Sequence, residues 1–174
     1  MHTSAHLHQH TTRRVARGAR SLLVALLAAA AALAGLVAVP STAHAAGSTS
    51  VGSAFDTQVL ALTNVQREKY GLKPLRAMSC VDGYANRWTR RLANEDKMYH
   101  QALRPIMRNC NLRTAGENLA WRGSSLSAAQ VVSMWMNSPG HRRNILTARY
   151  KYLGVAAWRS SDTGRVYAGQ VFGG

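Results

Sequence analysis

The first 45 residues read as an export signal, so the fold must be built from residues 46–174 alone. Arg13, Arg14, Arg17 and Arg20 make a basic head without an acid, and Leu22–Val39 is a run of Leu, Ala and Val broken by one Gly. Pro40 ends that run. Ala43-His44-Ala45 then offers small residues at both positions a signal peptidase reads, which puts the cut before Ala46. The alternative is a membrane anchor, because the apolar run lies near the roughly 18-residue minimum for a span. Arg13-Arg14 also suggests a twin-arginine route, although Val15-Ala16-Arg17 fits that route poorly. Nothing after the cut is apolar enough to cross a membrane. The mature 129 residues suit one domain with a sizeable core. Ala46–Gly52 reads as a flexible lead-in, and 53–174 as the domain.

Taking the signal's four arginines from the 22 basic residues leaves 18 against seven acidic ones, a formal charge of +11. That favours anionic partners such as acidic lipid headgroups or envelope polymers. The positives are scattered, with Arg90-Arg91 and Arg142-Arg143 as the doublets, and no nucleic-acid-binding motif accompanies them, so specific DNA or RNA recognition is not expected. Cys80 and Cys110 are the two cysteines, and an even count in an exported chain favours a disulfide between them. A nucleophilic thiol on either is the alternative.

Phe55, Val59, Leu62 and Val65 recur at helical spacing, predicting a helix that stops at Tyr70 with Gly71 as its left-handed terminator. Lys73-Pro74-Leu75 is extended, since the residue before proline avoids the helical region. A second helix is expected from Ser79 to about Met98, with Val81, Tyr84, Ala85, Trp88 and Leu92 along one stripe. Gln101–Arg113 reads as an irregular loop, and Asn118–Trp121 as a short strand. Ser127 is placed to cap a third helix with Val131, Val132 and Trp135 inward, and Pro139 separates it from a short helix opened by His141. Tyr152–Trp158 and Arg165–Phe172, joined by Ser160–Gly164, form a hairpin. Helices first and strands mostly last predict an α+β fold with a small antiparallel sheet.

Loss of the signal also strips away His2, His6, His8, His10 and His44, leaving His100 and His141. Glu117, in Gly116-Glu117-Asn118, lies between them. Two imidazoles and a carboxylate are the makings of a zinc half-site, but the 100–117–141 spacing is not local and does not by itself bring them together. The alternative is three separate polar residues. No Gly-x-Ser-x-Gly elbow, His-Glu-x-x-His, phosphate loop or dinucleotide fingerprint occurs.

The order and wording of these segments resemble the CAP superfamily (cysteine-rich secretory proteins, antigen 5 and pathogenesis-related 1; the SCP domain), in particular its small bacterial secreted members. The matching pieces are Asn64–Arg67 with Gly71-Leu72 and Pro74-Leu75, Ala85–His100, Gly116–Ala120, Trp135–Arg142, Asn144–Leu146, Gly154-Val155 and Gln170–Gly173. The resemblance implies an α-β-α sandwich with a three-stranded antiparallel sheet between helical layers and a cleft on one side. It also implies that His100, Glu117 and His141 line that cleft and hold a metal, zinc or another divalent cation. Asn137 stands where many members carry a second acid, and an amide is neither a carboxylate base nor a strong metal ligand. Asn118, Ser138 and Gln170 are expected to support the cleft. Two functions follow as expectations. One is a secreted, non-enzymatic binding module for lipid or anionic cell-envelope ligands. The other is a metal-dependent, protease-like hydrolase using His100, Glu117 and His141. Leu103, Ile106 and Met107 are the candidate apolar contacts for a lipid.

Overall fold

The computed structural model describes residues 47–174; the export signal assigned to 1–45, and Ala46, lie outside the described residues. In chain order the elements are β1 (Thr49–Ser50), α1 (Ser53–Lys69), β2 (Arg76–Ala77), α2 (Ser79–Glu95), α3 (Leu103–Asn109), β3 (Ala115–Arg122), α4 (Ala128–Asn137), α5 (Pro139–Ile145), β4 (Tyr152–Arg159) and β5 (Val166–Gly173). The three long strands are antiparallel in the order β4-β5-β3, and the two short ones pair with the outer edge of β4. This leaves β3 as the opposite edge. The elements and the three apolar clusters of the described residues fall between Thr49 and Gly173, so that segment carries a core of its own.

Strand alternation sorts the core into two layers. Ala120, Leu153, Val155, Ala157, Val166, Ala168 and Phe172 meet Phe55 and Val59 of α1, Val131, Val132 and Trp135 of α4, and Ile145 of α5. On the other sheet face, Ala156 and Val171 meet Val81 and Ala85 of α2 and Ile106 of α3, while Leu119 and Tyr167 meet Leu92 and Ala93. The result is the expected α+β sandwich, helices on both faces of an antiparallel sheet. Cys80 and Cys110 are joined, tying the start of α2 to the end of α3 across 30 residues. Closing that loop is worth about 3–4 kcal/mol in the chain-entropy model.

Several local expectations hold. Gly71 takes φ +67 just beyond α1, and Ser127 forms a full capping box with Gln130 at the start of α4. Others are corrected. The buried ridge of α1 is Phe55-Val59-Thr63-Arg67, at strict i+4 spacing, and Val65 is 44% exposed. Residues 103–109, expected as loop, form α3, because Pro105 falls in the first turn, where a missing N–H costs no hydrogen bond. Thr49–Ser50, inside the expected lead-in, pair with Arg159 and Trp158 of β4. The helix α2 ends at Glu95, with Asp96 left-handed at φ 48, three residues earlier than the spacing suggests.

A cavity of about 320 Å³ beside α1, α2 and β4 is lined by both Asp56 and Asp82, with no Lys or Arg among its walls. Asp56 Oδ1 is buried without a hydrogen-bond partner, whereas Asp82 Oδ1 accepts from the Val155 N–H at 3.3 Å. Burial, and then the Asp82 carboxylate, push the Asp56 carboxyl up to about 7. A carboxyl whose pKa is raised on folding favours the native state only while it is protonated, so its contribution is lost as pH rises from 3.8 through about 7. Asp56→Asn, a neutral isostere of the protonated form, is therefore expected to gain stability relative to the parent between pH 4.5 and pH 8. Urea unfolding of both proteins at the two pH values measures this; a pH-independent difference would refute it.

Candidate functional site at the β3 edge

The cleft is built on the free edge of β3. Within that strand Glu117 turns toward the α2–α3 layer and Asn118 toward the α1–α4 layer, opposite Val171 and Gln170 of β5. One strand thus feeds both sides of the edge.

His100 lies in the irregular segment between α2 and α3, and its neighbour Tyr99 fixes that segment. The Tyr99 ring meets Trp88 edge-on at 5.0 Å, its carbonyl accepts from Trp88 Nε1 at 3.0 Å, and its hydroxyl donates to Glu95 Oε2 at 2.6 Å. His100 Nδ1 then stands 2.6 Å from Glu117 Oε2. The imidazole is 64% exposed and the carboxylate side chain only 2%. Gln101 donates to the same carboxylate from its backbone N–H at 3.3 Å and from Nε2 at 2.6 Å. A carboxylate can only accept, so the Nδ1 of His100 carries a proton and its neutral tautomer presents a lone pair on Nε2.

His141 is the third residue of α5, whose first residue, Pro139, already has the fixed φ of a helix start. Burial, and then the nearby His100, hold the His141 imidazole below its usual pKa, so it is neutral at pH 7. A buried amide chain sets the position of this helix. Asn118 Nδ2 donates to the His141 carbonyl and to Gln170 Oε1, both at 3.1 Å, and Gln170 Nε2 donates to Thr63 Oγ1 at 2.8 Å. Asn144 Nδ2 closes the free edge, donating at 2.9 Å to both the Glu117 carbonyl and Asn118 Oδ1. Asn118, Gln170 and Thr63 are fully buried, so each link replaces water that is not there. Beside this edge lies a pocket of about 220 Å³, walled by His100, Gln101, Leu103, Glu117, Asn144 and Tyr150. Gly116 is required here, since any Cβ would run into the Tyr150 hydroxyl.

His100, Glu117 and His141 therefore gather at one edge. Asn137 is exposed at the end of α4, and its Nδ2 donates to Ser133 Oγ at 3.5 Å. Ser138 works through its backbone, its carbonyl accepting from the Arg142 N–H at 2.8 Å as α5 begins. Ile106 is fully buried core, not an apolar contact for a ligand. Sequence reading missed Gln101, Asn144, Thr63 and Tyr150. Asn144 carried a signal, since it follows His141 by three residues and so shares its helix face.

Among the described residues, no three His, Cys, Asp or Glu side chains stand ready as a metal-binding group. Both Glu117 oxygens are already taken by His100 and Gln101.

A family model described as the cysteine-rich secretory protein family (CAP) matches residues 60–172. The uncharacterized protein YkwD of Bacillus subtilis is 32% identical over 145 residues, covering 77% of this chain and 54% of that protein. The chain thus spans about half the length of that curated relative. Among solved structures, an outer surface protein of Borrelia burgdorferi superposes with a TM-score of 0.62 at 17% identity, covering 72% of this chain and 97% of that one. An extracellular protein containing an SCP domain from Bacillus anthracis gives 0.58 at 24% identity, covering 69% and 40%. A cysteine-rich secretory protein from Staphylococcus aureus gives 0.55 at 23%, covering 67% and 36%. These likenesses are in fold, and the matched segment spans the whole of the β3-edge cleft. By its sequence and its architecture, the chain belongs to the CAP family.

Proposed function

We propose that this chain is an exported, non-enzymatic binding module that works outside the cell on lipid or anionic cell-envelope ligands, with a divalent cation held between His100 and His141. The carrying observation is the Glu117–His100 pair: a buried carboxylate fixes one imidazole so that Nε2 is offered as a ligand atom, close to a second imidazole kept neutral. A bound cation would supply a Lewis-acidic contact for an anionic group. Export is supported by the signal features of residues 1–45, and by the printed names of relatives that are outer-surface or extracellular proteins. No helix among the described residues is long and apolar enough to cross a membrane.

Hydrolysis, with Glu117 as the base, draws no support from the geometry. A carboxylate that already accepts from His100 and twice from Gln101, and whose side chain is 2% exposed, is engaged as an orienting partner and has little access to a water whose proton it could take.

Zinc titration of residues 46–174 by calorimetry tests the reading. One-to-one binding is expected, abolished by His100→Ala and by His141→Ala, and weakened about 10–100-fold by Glu117→Gln, which keeps the shape but loses the anion behind the imidazole. Binding that survives both alanine variants, or no binding at all, would remove the cation from the proposal.

A further inference from the structure

We propose that the pocket between the α1–β2 turn and the α5–β4 turn is a binding site for a phosphate-bearing ligand. Lys73, Arg76 and Lys151 would take the anion, and Leu72, Pro74 and Tyr150 the body to which it is attached. This pocket has a volume of about 610 Å³, and no acidic residue lines it. All three cations are exposed, and none takes part in an ion pair among the described residues. Three unneutralised like charges around one concavity repel one another and focus a positive potential into it, which an incoming anion relieves.

Beneath the rim sits a fourth positive charge. Arg67 is 0% exposed and donates only to carbonyls, those of Lys73 (2.9 Å), Ile145 (2.7 Å), Thr147 (3.1 Å) and Tyr150 (3.5 Å). Its charge therefore meets no carboxylate. The same bonds tie both walls together, and the backbone adds Leu72 N–H to the Arg67 carbonyl at 3.1 Å and Arg76 N–H to the Lys151 carbonyl at 2.9 Å. With its backbone walls tied in this way, the pocket needs little backbone ordering when a ligand enters. Arg76 also rests 5.5 Å from the centre of the Tyr152 ring, which restrains its guanidinium. The apolar share of the lining suits a phosphate ester better than a bare ion. Such an ester could be a phospholipid headgroup or a soluble organic phosphate. Tyr150 lines this pocket and also the one beside His100 and Glu117, so the two concavities share a wall.

The inference rests on reading the chain as a binding module but not on the cation at His100 and His141. Its test is calorimetric titration of residues 46–174 with two probes, sn-glycerol 3-phosphate and monomeric dihexanoyl-phosphatidylglycerol. Two variants are compared with the parent. One combines Lys73→Gln, Arg76→Gln and Lys151→Gln; the other removes equal charge elsewhere through Arg87→Gln, Arg90→Gln and Arg108→Gln. Saturable one-to-one binding of at least one probe is expected, weakened about tenfold or more in the pocket variant and less than about threefold in the other. Preference for the lipid would show that the apolar lining is used, and equal binding that the phosphate alone is read; either supports the site. Equal weakening in both variants would reduce the attraction to general surface charge and overturn it. No saturable binding of either probe would overturn it too. Zinc titration of the parent separates the two readings: zinc binding with no saturable binding of either phosphate probe leaves the cation site standing and this one fallen.

Discussion

Arg67→Met is expected to destabilise the fold by about 3–5 kcal/mol, the cost of leaving several buried carbonyls without their shared donor. Methionine fills much of the arginine's volume, so the loss is not chiefly a cavity. The guanidinium donates to four carbonyls on three segments: the α1–β2 turn, the end of α5 and the approach to β4. Without it those carbonyls face apolar surroundings, and each buried orphan costs about 1–3 kcal/mol. The position also favours a cation, because the Ile145 and Thr147 carbonyls form the negative end of α5. Burial lowers the arginine's pKa, as desolvation of a cation must, yet a guanidinium remains charged throughout the accessible pH range. Arg67→Lys should recover less than half of the loss, because one ammonium cannot span acceptors that a planar fork reaches together. Urea unfolding of the three proteins measures both values. A loss below about 1 kcal/mol for Arg67→Met would show that water replaces the guanidinium at these carbonyls.

Much of this architecture was legible because it rests on short-range chemistry. The Ser127 capping box, Gly71 as terminator and the terminal hairpin each follow from a few neighbouring residues, and the Cys80–Cys110 bridge from the presence of just two cysteines in a chain read as exported. The gathering of His100, Glu117 and His141 at one edge followed from family resemblance, not from spacing. No local period connects residues 100, 117 and 141; the sheet does, by placing a single strand between two helical layers. What stayed hidden was long-range and polar. Arg67 reads as one more surface arginine in a basic chain until the fold brings Ile145 and Tyr150 against it. Gln101 and Asn144 look like ordinary amides until Glu117 is buried between them. Lys73, Arg76 and Lys151 appear scattered along the chain because β2 pairs with β4 in parallel, a contact across more than 70 residues that two-residue strands do not announce.

Gly154→Ala should be at least as damaging, at about 3 kcal/mol or more, and for a reason the sequence conceals entirely. Gly154 sits in β4 on the face that receives the start of α2, and a Cβ built there would overlap the Val81 backbone and lie 2.5 Å from Asp82 N. A clashing side chain can rotate away; a helical backbone cannot. Relief would require lifting the first turn of α2 from the sheet, which would uncover Val81 and Ala85 and strain the disulfide that starts at Cys80. It would also pull Asp82 away from the Val155 N–H. Overpacking a yielding core costs about 1–3 kcal/mol, and the rigid contact here argues for the top of that range or beyond. Gly123→Ala is the control: an added Cβ meets nothing within 4 Å there, and a change within about 0.5 kcal/mol is expected. Because α2 runs on toward Tyr99 and His100, the damage should reach the cleft as well. If the proposed cation site holds zinc, a folded remnant of Gly154→Ala should bind it more weakly than the parent, whereas Gly123→Ala should bind it unchanged. If Gly154→Ala unfolds at the same urea concentration as Gly123→Ala, then α2 rides further from β4 in solution than this contact implies, and the close approach is not what seats the helix.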